Sequence, residues 1–246
     1  MYRFFVEPSR IVGDEIMITG IDVNHIKNVL RMKVGEHLSI SDGQNVEYDC
    51  IITQLQEDCI ITQIQSTIEN SRELPVRITL FQGIPKSDKL EWIIQKAVEL
   101  GACEIVPVQM KRSVAKIEPK KAQKKIERLQ AIALSAAKQA KRSVIPTVSM
   151  PMSFKEAVAY GKTMERCLVP YEEERGIAHT RTVIQNLHGI KSIGIYIGPE
   201  GGFDEKEIEE VKTAGFEIVT LGKRILRTET AGLAMLSVLM MELEEQ

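Results

Sequence analysis

The feature that most constrains this 246-residue chain is a pair of glycine-rich turns on either side of one short helix near the C-terminus. Ser192 precedes the apolar run Ile193–Ile197, which has the length and composition of a buried strand. That run breaks into Gly198-Pro199-Glu200-Gly201-Gly202. Asp204, with Glu207 three residues on, predicts a helix start, and Gly215 predicts its end. A second strand, Phe216 to Leu221, runs into another loop at Gly222. Two strand ends thus carry neighbouring loops from which side chains have been removed. Ligands of open α/β sheets sit at the carboxyl ends of strands, where backbone must approach them closely.

A simple turn accounts for Gly201 and Gly202 taken alone. The second loop, Leu221-Gly222-Lys223-Arg224-Ile225-Leu226-Arg227-Thr228-Glu229-Thr230-Ala231, sets three cations, an acid and two hydroxyls ahead of an apolar helix. Neither loop has a phosphate-binding pattern. There is no G-x-G-x-x-G, and Glu217 stands where a P-loop ending in Gly222-Lys223 needs its first glycine. A dinucleotide pyrophosphate or the phosphates of ATP therefore fit poorly.

Upstream the chain alternates strands with helices. Val76–Gln82 reads as a strand, and Asp88-x-x-Glu91 opens a helix with Leu90, Ile93, Ile94, Ala97 and Val98 on one face. Gly101 ends it, and Glu104–Gln109 returns as a strand, a βαβ unit that implies a parallel sheet. Pro119 opens the longest helix, with a narrow apolar seam of Ala122, Ile126, Leu129, Ala133, Ala136 and Ala140. Ser153-x-x-Glu156 opens a short helix, Arg166–Val169 is a strand, and residues 178–187 form a helix. The last helix, from about Glu229 to Glu242, is apolar nearly all round. A sheet covers one side of such a helix; the other meets a second subunit or the rest of one large domain.

The first seventy residues are β-rich. Leu38–Ile40, Val46–Ile52 and Cys59–Ile64 read as strands, with turns at Asp42-Gly43 and Glu57-Asp58. Asp22 predicts the cap of a short helix that turns Ile26, Val29 and Leu30 inward and presents His25, Lys27, Asn28, Arg31 and Lys33 outward. Glu69–Pro75, polar and closed by proline, reads as a linker. The domains are therefore residues 1–70, a linker at 71–75, and residues 76–246.

A net charge of -2 would argue against a polyanionic partner if the charge were evenly spread, but residues 111–142 hold eleven Lys/Arg against two acids. Such a segment is either a solvated helix face or a track for nucleic acid. Met1-Tyr2-Arg3-Phe4-Phe5 lacks the apolar stretch of a signal peptide, and no run approaches membrane-spanning length. Cys50, Cys59, Cys103 and Cys167 have no C-x-x-C spacing, as expected of reduced thiols in a cytoplasmic protein. The four histidines are scattered, which gives a metal site little support.

The stretches IGPEGGF at 197–203 and LGKRILRTETA at 221–231 resemble the bacterial 16S rRNA (uracil-N3)-methyltransferase family. That family belongs to the SPOUT superfamily of trefoil-knotted, S-adenosylmethionine-dependent RNA methyltransferases. The resemblance implies an α/β fold: a parallel-sheet SPOUT domain with a C-terminal trefoil knot, preceded by a small PUA-like β-barrel that binds RNA. It also implies a homodimer acting on 16S rRNA of the small ribosomal subunit, with no metal and no membrane.

On that reading Leu168, Ile197, Gly198, Pro199, Gly201, Gly202, Leu221, Gly222, Ile225, Leu226 and Ala231 shape the pocket for S-adenosylmethionine. Methylating uridine N3 requires its proton to leave and the developing anion to be stabilised. Glu200 and Glu229 are the candidate bases, Arg227 the anion stabiliser, and Thr230 a hydrogen-bonding partner. Capping of the last helix explains Glu229 equally well, and an ion pair with Glu200 is the alternative for Arg227. Arg31, Lys86, Lys89, Arg112, Lys124, Lys125, Arg128 and Arg142 are the RNA-binding candidates, with Arg112 and Arg142 able to reach the base. Lys138 stands in Ala136-Ala137-Lys138-Gln139, where many relatives carry a glutamate, so a catalytic acid at that point is doubtful. A methyltransferase acting on another RNA or atom, and a non-catalytic RNA-binding factor, are the competing readings.

Overall fold

A computed structural model describes residues 1–68, 72–172 and 176–244. The chain forms two compact units, Met1–Glu73 with Ala137–Ile145, and Leu74–Ala136 with Pro146–Gln246. Glu69, Asn70 and Ser71, the start of the expected linker, lie outside the described residues.

The first unit is a curled half-barrel of six strands: β1 (Arg3–Phe5), β2 (Ile11–Val12), β3 (Glu15–Thr19), β4 (His37–Ser41), β5 (Glu47–Leu55) and β6 (Cys59–Ile68). Their order is β1-β4-β5-β6-β3-β2, with β1 parallel to β4 and the remaining pairs antiparallel. Inward residues Ile16, Ile18, Leu38, Ile40, Cys50, Ile52 and Ile60 form its core. The helix expected near Asp22 is α1 (Ile21–Asn24), continued by a π-turn over His25–Val29. The wider π-turn carries the Leu30 N–H to the His25 carbonyl at 2.9 Å, which rotates Val29 outward to 64% exposure while Ile26 stays buried. Val29 is therefore not a core residue, and Asp22 is no cap: its carboxylate holds Lys138 at 3.0 Å.

The segment Ala137–Ile145 completes this unit. Ser41 Oγ donates to the Ser143 carbonyl at 2.7 Å, and Gln44 bridges Val144. Arg142 is buried in an ion pair with Glu73, whose carboxylate also accepts the Ser143 N–H at 2.8 Å. Two long side chains are thus consumed in anchoring one return of the chain.

The second unit is a parallel sheet flanked by helices. Its strands are β7 (Arg77–Gly83), β8 (Ala102–Gln109), β9 (Thr147–Val148), β10 (Met152–Ser153), β11 (Arg166–Pro170), β12 (Ser192–Ile197) and β13 (Glu217–Val219). The order is β10-β8-β7-β12-β11-β13, with β9 also on β8. Helices α2 (Lys89–Glu99), α3 (Pro119–Gln139), α4 (Phe154–Gly161), α5 (Ile177–Gln185), α6 (Glu205–Thr213) and α7 (Thr228–Leu243) connect and cover it. Two capping boxes read from sequence are present, Ser153/Glu156 on α4 and Asp204/Glu207 on α6. The seam of α3 is buried from Ala122 to Ala136, with Ala140 just past the helix end. Phe81 stacks on Tyr196 at 4.3 Å at the centre of one core face.

From β13 at the sheet edge the chain returns past the ends of β11 and β12 to begin α7, which packs on β12, β7 and α2. Met235, Leu236, Leu239 and Leu243 are buried on α7, while Val238 and Met241 on its outer face are 41% and 80% exposed. Among the described residues no helix is long and apolar enough to cross a membrane.

Candidate active site

The carboxyl ends of β11, β12 and β13 lie side by side, and the loops leaving them enclose a cleft of about 560 Å³. That is a usual size for a small-molecule site. Pro170 ends β11 and Tyr171 and Glu172 follow it, Gly198 to Phe203 follow β12, Thr220 to Arg227, apart from Lys223, follow β13, and Thr228 opens α7.

Every residue expected at the cofactor pocket lines this cleft except Leu168. Leu168 is fully buried in mid-strand, paired with Ile195 and Glu217. Strand β11 runs on to Pro170, one residue beyond the expected end, so Pro170, Tyr171 and Glu172 take the lining role instead. The same strand-end rule that singled out the glycines would have found them.

The glycines serve two physical ends. Gly202 and Gly222 hold φ values of +68° and +108°, which side-chain-bearing residues rarely adopt. Gly201 sits so close to the Arg112 turn that a Cβ would stand 3.0 Å from Arg112 Cβ. The Arg112 guanidinium in turn donates to the Gly201 carbonyl at 3.3 Å. The cleft wall here is largely backbone, with the Gly201 and Gly198 carbonyls held by the Arg112 and Thr228 side chains.

A chain of charges ties three loops together beside the cleft. Glu200 accepts from the Lys86 backbone N–H at 3.0 Å and pairs with Lys89 Nζ at 3.2 Å. Lys89 also reaches Glu229 at 3.4 Å. Burial works to raise the Glu200 carboxyl, but the backbone N–H groups of Glu200 and Lys86 together with the Lys89 ammonium outweigh it and hold it below its ordinary value. The hydrogen bond that Lys89 donates to Glu200, and the charges of both carboxylates, push the Lys89 ammonium upward. Asp204 is held low by its hydrogen bond with Lys111, at 2.9 Å. Glu207, 7% exposed, accepts the Lys111 N–H at 2.8 Å and its own capping N–H from Asp204 at 2.9 Å, fixing the Arg112 turn to the start of α6.

Of the catalytic candidates, Glu200 and Arg227 line the cleft, whereas Glu229 and Thr230 lie in the first turn of α7 outside its lining. Arg227 is the backbone N-cap of α7 and its alternative partner, Glu200, is engaged by Lys89. Of the RNA-binding candidates, Lys89 and Arg112 line the cleft. Lys86 is exposed beside it, and Lys124, Lys125 and Arg128 are exposed on α3, with Arg128 paired to Glu91 at 2.9 Å. Arg31 is exposed in the first unit. Arg142 is removed from that set, because its 4% exposure and its ion pair with Glu73 leave no guanidinium surface for a phosphate or a base. Lys138 holds Asp22 at 3.0 Å. Thr228, missed in sequence, lines the cleft and donates to the Gly198 carbonyl at 2.6 Å.

Residues 72–240 match the model of the RNA methyltransferase domain family, and residues 18–65 match that of the RNA methyltransferase PUA domain. Over 250 residues the chain is 37% identical to ribosomal RNA small subunit methyltransferase E of Bacillus subtilis, covering 99% of this chain and 98% of that relative. The protein of the same name from Mesomycoplasma hyopneumoniae is 33% identical, with 96% and 98% covered. The crystal structure of ribosomal RNA small subunit methyltransferase E from Neisseria gonorrhoeae bound to S-adenosyl methionine superposes with a TM-score of 0.83 at 32% identity, covering 98% and 97% of the two chains.

Proposed function

The chain belongs to the ribosomal RNA small subunit methyltransferase E family, and from that premise we propose that it transfers a methyl group from S-adenosylmethionine to N3 of a uridine in 16S rRNA. The observation that carries this reading is the glycine-walled cleft at three adjacent strand ends, rimmed by Lys89, Arg112, Arg224 and Arg227. Its size and its glycine-lined wall suit an adenosyl ligand, and its cationic rim suits a polyanionic substrate.

S-adenosylmethionine supplies an electrophilic methyl group on a sulfonium sulfur. The protein's own part is to hold acceptor and donor in line and to keep water out. Ile197, Gly198, Leu221, Gly222, Leu226 and Ala231 hold the donor. The N3–H proton must leave as the N3–methyl bond forms and the S–methyl bond breaks, with the sulfur keeping the bonding pair. Glu200, ionised at neutral pH and lining the cleft, is the proton acceptor in this reading, ahead of Glu229. Arg227 offsets charge developing on the uracil oxygens. Arg112, Lys124, Lys125 and Arg128 contact phosphates, Arg31 binds RNA from the half-barrel, and Thr230 meets the substrate edge.

The outer face of α7, with Val238 and Met241 exposed, is the surface on which two copies pair as a homodimer. The working site is the cytoplasm, where small subunits are found. Transfer of labelled methyl from S-adenosylmethionine to isolated small subunits tests the reading. Label in 16S rRNA that digests to N3-methyluridine supports it; donor binding without transfer to any RNA would return the chain to the class of RNA-binding factors.

A further inference from the structure

Gln82, at the end of β7, is fully buried and does not line the cleft. Its side-chain nitrogen donates to the Gly83 carbonyl at 3.0 Å and to Thr228 Oγ1 at 2.8 Å. Thr228 Oγ1 passes its own hydrogen to the Gly198 carbonyl at 2.6 Å. Three segments far apart in sequence are thereby joined: the end of β7, the first turn of α7 and the glycine loop after β12. The other half of the amide is not used. Gln82 Oε1 is one of two buried side-chain oxygens without a hydrogen-bond partner among the described residues. It faces Gly232, where a Cβ would meet Gln82 Oε1 at 3.6 Å, Ile197 Cγ1 at 3.5 Å and Leu80 Cδ1 at 3.7 Å. Exchanging the nitrogen and oxygen would set the oxygen against the Gly83 carbonyl and the nitrogen among apolar atoms, so the orientation is fixed by its surroundings.

A buried amide satisfied on one side only weakens a fold compared with an apolar side chain of the same shape. Its presence at the end of β7, directly after the buried Leu80 and Phe81, therefore calls for a reason other than stability. We propose that Gln82 is a positioning residue for the methyl-donor pocket, acting through Thr228 to fix the Gly198 carbonyl and with it the loop Gly198–Gly202. The inference rests on the reading of the cleft as the S-adenosylmethionine site. The Gln82 amide orients the Thr228 hydroxyl, and that hydroxyl can then donate to only one acceptor. A donor-binding wall made largely of backbone gains its shape from such side-chain ties; Glu200 holds the middle of the loop to Lys86 and Lys89, and Thr228 holds its Gly198 end.

The test is Gln82→Met, which keeps length and removes both polar atoms, in the full chain. Thermal melting and calorimetry with S-adenosylmethionine and S-adenosylhomocysteine are read together. The expected result is a Tm equal to or above wild type with about tenfold weaker binding of both ligands, the tenfold corresponding to about 1.4 kcal/mol. Thr228→Val should weaken binding to a similar degree, Thr228→Ser should restore it, and the Gln82→Met/Thr228→Val pair should lose no more than the worse single variant. A Gln82→Met protein that binds donor as wild type does, whatever its Tm, overturns the proposal. If Gln82→Met does not fold, the decision passes to Thr228: equal affinity for the Val and Ser variants overturns it. Wild-type protein that binds no donor at all would instead refute the cleft assignment, which is a separate outcome.

Discussion

Gly83 closes β7 outside the cleft, yet its backbone packs directly against the donor loop. A Cβ at this position would stand 2.6 Å from Pro199 N, 2.7 Å from Pro199 Cδ and 2.9 Å from the Gly198 carbonyl carbon. All three atoms belong to backbone or a proline ring, so no side chain can swing aside. Carbon atoms in van der Waals contact settle near ~3.5–4.0 Å, which requires the Gly198-Pro199 segment to retreat by roughly 1 Å. Overpacking of this kind costs about 1–3 kcal/mol. At about 2–4 °C per kcal/mol for a chain of this size, Gly83→Ala should lower Tm by roughly 2–12 °C. A displacement of roughly 1 Å in a positioning element costs on the order of 100-fold in turnover. Initial rates of methyl transfer at saturating RNA, with donor affinity by calorimetry, should therefore show a loss near that size in the folded protein. Gly232→Ala is the matched control: its nearest neighbours, from 3.5 to 3.7 Å away, are at ordinary distances, and α7 should gain up to about 1 kcal/mol. A Gly83→Ala enzyme with wild-type donor affinity and turnover would refute the claim that this loop's position sets the activity.

Three further perturbations probe the charged cluster, the proposed RNA track and the proposed subunit surface. Glu200 is depressed below its ordinary value of 4.5, so its ionised form and the tie to Lys89 are complete above that pH and lost only as pH falls below it. Lys89→Met removes the ammonium, lets the Glu200 carboxyl rise, and should move the acid limb of the kcat/KM profile to higher pH; an unmoved limb would detach Glu200 from the chemistry. Lys124→Glu with Lys125→Glu, both exposed on α3, should weaken rRNA binding across sequences and flatten its salt dependence by about one unit of slope for each phosphate no longer held. Donor affinity should not change. If two copies pair through α7 as proposed, Met241→Asp, at an 80% exposed position, should convert dimer to monomer in sedimentation velocity without lowering Tm of the monomeric fold; a wild-type protein that sediments as a monomer, or a variant that stays dimeric, would remove that pairing.

Local rules carried much of the architecture and stopped where partners are distant in sequence. Asp204 and Glu207 form the capping box that their spacing requires, and Leu90, Ile93, Ile94, Ala97 and Val98 are all buried on α2 as their period demands. Asp88, expected from the same kind of spacing to cap α2, precedes that helix without a capping hydrogen bond. Val29 failed because a π-turn changes the angular step between residues, which a 3.6-residue period cannot anticipate. Strands β1 and β2, of three and two residues, are too short for alternation to register. The glycine loops were legible because they are contiguous. The Lys89 link between Glu200 and Glu229 was not, since Lys89 is separated from both by more than a hundred positions. Arg142 had the composition of an RNA-binding residue and the burial of an anchor; only Glu73, brought beside it by the return of Ala137–Ile145, decides between them. Gln82 left a fainter trace, one amide in an otherwise apolar strand end.

Delivery of a methyl group by this cleft to N3 of a uridine in 16S rRNA is measured most directly by mass spectrometry of nucleosides. Purified 16S rRNA and tRNA are compared between cells with and without the gene. The expected result is N3-methyluridine in 16S rRNA of the parent, its loss in the deletion strain, and its return with wild-type protein but not with Gly83→Ala. N3-methyluridine in 16S rRNA at equal levels in both strains, or loss of a modified nucleoside from tRNA alone, would contradict it.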